Sequence, residues 1–110
     1  MIEVMTRTFV ETTEFRSRWK ALGMTEDDLQ ALQNFLLEHP EAGSVVQGTG
    51  GVRKLRWARE GRGKSGGLRT IYIDMRSSAH IYLVTVFGKD EKVDLSPEDK
   101  KAIKSFVKGL

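Results

Sequence analysis

Residues 48–87 read GTGGVRKLRWAREGRGKSGGLRTIYIDMRSSAHIYLVTVF, and this stretch decides the fold. It contains three segments with the alternation or the β-branched and aromatic content of strands, at 52–58, 68–74 and 81–87. The last of them is apolar on both faces, which is typical of a central strand. Because the connections between the three segments are short, we predict an antiparallel meander.

Alternation along the first of these strands separates two sets of side chains, since successive residues of a strand point to opposite faces. Leu55 and Trp57 share one parity and are predicted to face the core. Lys54 and Arg56 share the other parity. We therefore expect these two cations to face outward together, on a rigid element.

The sequence on either side of the meander predicts one more strand and three helices. Residues 6–11 read as a short strand, and apolar residues at helical spacing follow until Gly23. A capping-box pattern at Thr25 begins a second helix, which ends at His39 before a proline. Ser96, followed by proline and two acids, begins a closing helix. The predicted order is β-α-α-β-β-β-α, an α+β fold with an N-terminal helical hairpin and a C-terminal helix on a twisted antiparallel sheet.

Length and composition limit the class of protein. The chain has 110 residues, which predicts a single domain over 1–110. It has no cysteine, so disulfides and thiolate metal sites are excluded, and its two distant histidines make us expect no metal. No apolar run approaches the ~20 residues of a membrane helix. Since the N-terminal sequence lacks a secretory apolar stretch, we expect a cytoplasmic protein with no membrane contact.

The positive charge of the chain is concentrated in residues 48–69, which we call the basic block. It holds seven cations and one acid, so its net charge is +6, and the remainder carries −3 of a total of +3. The seven cations are Arg53, Lys54, Arg56, Arg59, Arg62, Lys64 and Arg69. Most are arginine, whose planar fork suits phosphates, and glycines let the backbone approach a ligand. We favour a nucleic-acid surface over a solvated loop, and we place Arg59 among the RNA-binding residues.

Two alternative readings of the sequence are rejected. Residues 58–65 approach the phosphate-loop pattern, but Ala58 replaces its first glycine and a strand follows where a helix is required. A catalytic pair of histidines would use His39 and His80, which lie outside the basic block. Crowded cations offer another route, because they lower the pKa of a lysine such as Lys64 towards that of a general base. Neighbouring arginines could then stabilise the extra negative charge at phosphorus.

Residues 47–73, QGTGGVRKLRWAREGRGKSGGLRTIYI, and 81–96, IYLVTVFGKDEKVDLS, resemble the RelE superfamily of bacterial toxins, especially its HigB-type branch. The resemblance implies a RelE-like fold and the toxin of a type II toxin–antitoxin pair. Such toxins inhibit translation by cutting mRNA in the ribosomal A site, with the ribose 2′-hydroxyl as nucleophile and without metal or cofactor. The implied partners are the ribosome, mRNA and a cognate antitoxin, often with a helix-turn-helix domain (HigA type).

The resemblance also implies roles for particular residues. Arg69 matches an arginine that contacts the scissile phosphate, and Lys64 and Arg62 match basic positions of the preceding loop; these three are the expected catalytic residues. Lys54, Arg56 and Lys89 match basic positions that bind RNA. The best-known members carry a tyrosine near the start of the last helix, and residues 93–96 here contain none. Its acid–base role therefore does not transfer to this chain.

Two questions stay open at the level of sequence. Arg69 has the parity of Ile71 and Ile73, which look buried, so it lies where the strand begins and its face opens to solvent, or else it pairs with an acid. The function also has alternatives. A non-catalytic nucleic-acid-binding regulator would bind in a salt-dependent way without cutting, and a degenerate toxin would keep only antitoxin binding.

Overall fold

The computed structural model describes residues 7–58 and 67–110, which form a five-stranded sheet covered by helices on both faces. The strands are β1 (Thr8–Glu11), β2 (Ser44–Val45), β3 (Arg53–Trp57), β4 (Leu68–Met75) and β5 (His80–Gly88). The helices are α1 (Thr13–Ala21), α2 (Glu26–Glu38) and α3 (Pro97–Lys108), and a short 3-10 turn (Arg76–Ser78) joins β4 to β5. The strand order in the sheet is β1-β5-β4-β3-β2.

The sheet is mixed. β3, β4 and β5 form the predicted antiparallel meander, with β5 in a central position. β1 pairs in parallel with β5, so the prediction of a fully antiparallel sheet is wrong for this strand. No turn links β1 to β5, because two helices and three strands intervene, and a tight turn is what would have imposed the antiparallel direction. The two-residue strand β2, which the sequence analysis did not foresee, forms the opposite edge.

The helical hairpin begins at the caps that the sequence predicts. The Thr12 hydroxyl accepts a hydrogen bond from the Phe15 N–H and donates one to the Val84 carbonyl, which ties the start of α1 to β5. Thr25 and Asp28 form a complete capping box at the start of α2. Both caps are local sequence signals, since each hydroxyl accepts from a backbone N–H three residues further along the chain.

Each face of the sheet has its own apolar core. Under the helical hairpin, Phe15 and Trp19 of α1 and Leu32 and Leu36 of α2 pack on one face of the sheet, against side chains that include Tyr72 of β4. Under α3, the second core contains Val52, Ile71, Ile73, Val84, Phe87, Leu95 and Ile103. The two parities of β4 therefore both become buried along most of the strand, as in a central strand with two covered faces.

The turn between β2 and β3 is built from the G-T-G-G sequence of residues 48–51. Gly48, Gly50 and Gly51 have φ angles of +79°, +83° and +111°, where side chains are strained. A Cβ atom on Gly50 would lie 3.1 Å from Cγ1 of Val107 in α3. The buried Thr49 closes the turn by donating its hydroxyl to the Val46 carbonyl. Gly50 therefore lets α3 approach this turn, which is a structural role within the basic block.

α3 is anchored where it begins. Ser96 and Asp99 form a capping box, and Lys92 donates to the Asp99 carboxylate at 2.9 Å. The pKa of Asp99 falls from 3.8 to about 2, chiefly because of the hydrogen bond from Lys92 and also because the Ser96 N–H donates to the carboxylate. No helix within residues 7–58 or 67–110 has the length and apolar character needed to cross a membrane.

Candidate nucleic-acid interface

Two predicted arginines lie side by side at one end of the sheet. Arg56 of β3 is directly opposite Arg69 of β4, and Arg69 is opposite Phe87 of β5. All three point to the face that α3 covers further along the strands, because Ile71 has the parity of Arg69. Because of this pairing register, Arg56 and Arg69 lie next to each other at the end of the sheet. We call these two residues the arginine row.

The arginine row places two positive charges directly opposite each other on neighbouring strands. Two cations directly opposite each other across antiparallel strands destabilise the sheet unless an anion lies between them. Within the described residues, no acid forms an ion pair with Arg56 or Arg69, and the guanidinium of Arg69 makes only a long contact of 3.5 Å with the Leu68 carbonyl. Arg56 is exposed and Arg69 is partly exposed. Arg69 thus lies where its face opens to solvent, the first of the two alternatives that the sequence allowed.

Lys89 joins the two arginines in one cleft. It follows β5 in a turn, and its backbone N–H donates to the Gly67 carbonyl at 3.3 Å, which fixes the turn against the start of β4. The cleft has a volume of about 110 Å³. Its lining residues are Arg56, Trp57, Ala58, Gly67, Arg69 and Lys89. Three cations, from β3, β4 and the turn after β5, therefore converge on one small surface, where their donors can bind a phosphate from several sides.

Lys54 has a different environment. Its ammonium lies 3.1 Å from the Asp94 carboxylate, in the segment between β5 and α3. The pKa of Asp94 is held below its usual value, first by the hydrogen bond from the Leu95 N–H and then by Lys54. Lys54 and Arg56 share a face as predicted, but Lys54 does not line the cleft and already has an anionic partner.

The other predicted site residues, Arg59, Arg62 and Lys64, lie outside the described residues. The prediction that neighbouring cations lower the pKa of Lys64 therefore also falls outside the described residues. The described residues that flank this segment, Ala58 and Gly67, both line the cleft. Both described ends of the chain at this gap therefore lie at the cleft.

Aromatic side chains near the site are mostly buried. Tyr72 donates its hydroxyl to the Pro40 carbonyl and accepts from the Gly43 N–H, and burial raises its pKa. Phe87 is 1% exposed, with the Lys92 ammonium 5.0 Å from its ring centroid. Tyr82 packs edge-on against Phe106 under α3. These three rings belong to the two cores.

The two histidines do not line the cleft. His39 is the C-terminal cap of α2, 3.9 Å from the carboxylate of Glu38. His80 begins β5, and its ring centroid lies 5.8 Å from that of Tyr82. Within the part of the chain that is described, no group of three or more His, Cys, Asp or Glu side chains is arranged to hold a metal ion.

Larger clefts occur elsewhere on the molecule. One of about 600 Å³ lies beside the end of α2 and includes Glu38 and Glu41. Another of about 620 Å³ lies on the helical hairpin and includes Glu11 and Glu26. Neither is lined by a predicted site residue, and in each the acids offset the cations, which are Arg76 in the first and Arg16 and Lys20 in the second. The smaller cleft is therefore the candidate site because of the chemistry of its lining residues and not because of its size.

Strand alternation placed Trp57 on the core side of β3, and there it packs, partly buried, against the core under the helical hairpin, although it also lines the cleft. Sequence reasoning did miss one contributor to this region. Asp94 gave no recognisable signal, because its pairing with Lys54 depends on how residues 89–95 fold back over the sheet. The only sequence hint was the presence of several acids after Lys89.

Comparisons with known proteins agree with this architecture. A family model described as the RelE toxin of the RelE/RelB toxin–antitoxin system matches residues 12–110. The structure is similar to that of the E. coli toxin RelE, solved as a double arginine-to-alanine mutant in the free state, with a TM-score of 0.56. The two chains are 16% identical, and the match covers 81% of this chain and 90% of the other. At that identity the structural likeness concerns the fold.

Proposed function

The chain belongs to the RelE toxin family, and from this premise we propose that it is the HigB-type toxin of a type II toxin–antitoxin pair, a ribosome-dependent endoribonuclease that cuts mRNA and inhibits translation. The proposal takes residues 1–110 as one toxin domain acting in the cytoplasm. Its partners are the ribosome with its mRNA and a small antitoxin, of the helix-turn-helix HigA type.

One observation carries the proposal. Arg56 and Arg69 oppose each other across β3 and β4, and Lys89 closes the same cleft. Such an arrangement of like charges costs stability, and a bound phosphate removes that cost by lying between the cations. In the proposed complex, Arg69 contacts the scissile phosphate and Arg56 and Lys89 bind the RNA backbone.

The proposed chemistry uses cations in place of a metal or cofactor. The ribose 2′-oxygen forms a bond to the adjacent phosphorus while the bond from phosphorus to the 5′-oxygen breaks, and the departing 5′-oxygen takes a proton from water. Arg69 and Arg62 stabilise the negative charge that develops on the phosphate oxygens. Lys64 takes the proton from the 2′-hydroxyl, since neighbouring cations lower the pKa of a lysine. Lys54 and Arg59 contribute to the positive field around the RNA.

The test is inducible expression in bacteria, with primer extension on a translated mRNA. We expect growth arrest and cuts spaced by codons. Arg69→Ala should reduce cleavage by about 100-fold or more, the usual scale for removing one transition-state donor. The matched control is Arg16→Ala, which removes an exposed arginine of α1 outside the cleft.

The outcomes separate the parts of the proposal. Cleavage by Arg69→Ala at the wild-type rate would overturn the site assignment. Cuts in naked RNA equal to those in translated mRNA would overturn the dependence on the ribosome. Salt-dependent RNA binding by the wild type with no cuts at all would favour the regulator, and antitoxin binding alone would favour a degenerate toxin.

A further inference from the structure

α3 carries a second concentration of positive charge, outside the basic block. Its two acids, Glu98 and Asp99, lie in the first turn, where they suit the helix dipole, and Asp99 is bound by Lys92. From residue 100 to residue 108 the helix contains lysines and no acid. These lysines, which we call the lysine flank, are Lys100, Lys101, Lys104 and Lys108.

Helical spacing places the lysine flank on one side of α3. Lys104 is three or four residues from each of the other three lysines, and residues at those separations are neighbours on a helix surface. Lys100 is half-buried and the others are exposed. Within the described residues, no acid forms an ion pair with any of the four. Like charges four residues apart destabilise a helix, so a bound polyanion would remove a cost that α3 carries on its own.

The helix dipole explains only part of this charge. A cation in the last turn interacts favourably with the carbonyl end of a helix, and Lys108 occupies that position. Lys100 and Lys101 lie in the first half of α3, where the dipole offers no such benefit. The helix itself therefore does not account for them.

Contacts of α3 with the sheet show which way the lysine flank faces. Val107, three residues after Lys104, lies against the turn between β2 and β3, where a Cβ atom on Gly50 would be 3.1 Å from its Cγ1. On the other side of the helix, Phe106 packs edge-on against Tyr82 of β5, with ring centroids 6.3 Å apart. The lysine flank therefore faces the β3 side of the sheet, and the aromatic ring of α3 faces the β5 side.

The lysine flank is continuous with the arginine row. Arg56 and Lys54 lie on the same face of β3, two residues apart, and the Lys54 ammonium is 3.1 Å from the Asp94 carboxylate. The pKa of Asp94 is lowered first by the hydrogen bond from the backbone N–H of Leu95, then by Lys54 and also by Lys100. The charge of Lys100 therefore acts at the same point as that of Lys54. Cations extend from the cleft along β3 and onto α3, with Asp94 between the two elements.

The helical hairpin, on the other face of the sheet, carries the opposite charge along α2. All four charged residues of α2 are acids. They are Glu26, Asp27, Asp28 and Glu38. A polyanion is therefore repelled from α2 and attracted to the side of the molecule that carries α3.

The chemistry of the lysine flank indicates which form of polyanion it fits. A lysine ammonium is a compact point charge that contacts phosphates without reading bases. Sites for single strands combine cations with aromatic rings on which bases stack, but the ring of Phe106 faces away from the lysines. A paired RNA helix is recognised mainly through its shape, its phosphates and its 2′-hydroxyls. The lysine flank therefore suits the backbone of paired RNA.

We propose that the lysine flank is a second RNA contact, which binds the phosphate backbone of double-helical RNA while the cleft holds a single strand. The inference rests on the proposed function, because it takes RNA as the polyanion that this protein binds. Contacts between lysine and phosphate carry no sequence information, so the lysine flank adds affinity and orientation but does not select a sequence.

The test measures binding of a blunt RNA duplex at several salt concentrations. The logarithm of the association constant falls with the logarithm of salt concentration, with a slope of about −0.9 for each phosphate contact in a duplex. A triple variant, Lys101→Gln with Lys104→Gln and Lys108→Gln, preserves helix propensity. We expect its slope to be less steep than that of the wild type by about 2–3. Circular dichroism checks that its fold is intact.

The matched control removes exposed cations from the helical hairpin. Arg16→Gln with Lys20→Gln should leave the slope unchanged, because these residues of α1 lie beside Glu11 and Glu26. A wild-type slope in the triple variant would refute the lysine flank as an RNA contact. Equal changes per cation in the two variants would also refute it, since net charge alone would then be responsible. If the triple variant loses binding of a polyglutamate peptide but keeps its RNA slope, α3 is a protein-docking surface and the proposal is wrong.

Cleavage of translated mRNA separates this inference from the proposed function. If the wild type cuts mRNA and the triple variant keeps the full slope, the lysine flank fails and the proposed function stands. If the wild type makes no cuts while the triple variant loses its slope, the proposed function fails and the lysine flank stands.

Discussion

The face of the sheet under α3 has two ends with opposite properties. At one end, Ile71 and Ile73 are 0% and 6% exposed beneath the helix. At the other, Arg69 has the same parity on the same strand and is partly exposed. Parity assigns each side chain to a face, but the reach of α3 decides whether that face is core or binding surface. We call these regions the covered half and the open end.

The largest change in stability should come from a substitution in the covered half. Ile71→Ala removes a fully buried side chain from the core under α3, and we expect it to lower the free energy of unfolding by about 2–5 kcal/mol. Urea denaturation measures this change. Arg69→Ala at the open end should change stability by less than about 0.5 kcal/mol. A cost below about 1 kcal/mol for Ile71→Ala would contradict the assignment of the stable core to the covered half.

A smaller effect concerns Asp99, which anchors α3 at the boundary between the two regions. Its pKa is lowered from 3.8 to about 2, so its stabilisation is present above pH 3.8 and is lost as pH falls through 2. Because the carboxylate is 36% exposed, screening reduces the expected contribution to about 1 kcal/mol. Wild-type and Asp99→Asn proteins should therefore differ in unfolding midpoint at pH 5 and converge near pH 2.

The result that tests the role of the Asp99 charge is that the unfolding midpoints of the two proteins converge at low pH. The pKa of Asp94 is also lowered, but Asp94 is present in both proteins and cancels in the comparison. A constant difference between wild type and Asp99→Asn from pH 5 to pH 2 would show that the Asp99 charge does not anchor α3.

The smallest predicted change in stability should be a gain rather than a loss. Arg56→Thr removes the like-charge opposition to Arg69 and introduces a good strand former, so we expect a gain of about 0.2–1 kcal/mol in stability together with weaker RNA cleavage. The gain should shrink at high salt. Calorimetry at low and high salt measures it.

Arg53 provides the matched control on the same strand. It points to the other face and donates to the carbonyls of Gly43 at 2.8 Å and Glu41 at 3.3 Å. Arg53→Thr should therefore lower stability. If both substitutions destabilised the protein equally, the open end would not be under electrostatic strain.

Local signals predicted most of the fold. Thr25, Ser96 and the apolar stripes fixed the helices because caps and periodicity act over a few residues. The parallel direction of β1 was missed because it depends on contacts with β5, some seventy residues away. Strand direction between distant segments is set by packing, which a single sequence does not display.

The sequence predicted which surface carries the candidate site, but it did not predict how the side chains of that site are arranged. The concentration of cations in residues 48–69 pointed to the end of the sheet where Arg56 and Arg69 lie opposite each other. That opposition depends on pairing register, and the Lys54–Asp94 ion pair depends on the path of a loop. Alternation placed Trp57 on the side of the helical-hairpin core, as the structure shows, but it cannot tell where that core ends.

The G-T-G-G turn has a consequence for recognising relatives of this protein. Gly50 accommodates α3, whereas the proposed phosphate contacts begin at Arg56. A chain that keeps G-T-G-G but has neutral residues in place of Arg56 and Arg69 would keep this turn and would lack the proposed phosphate contacts. The glycine motif therefore reports on the fold, and the arginine row reports on the proposed function.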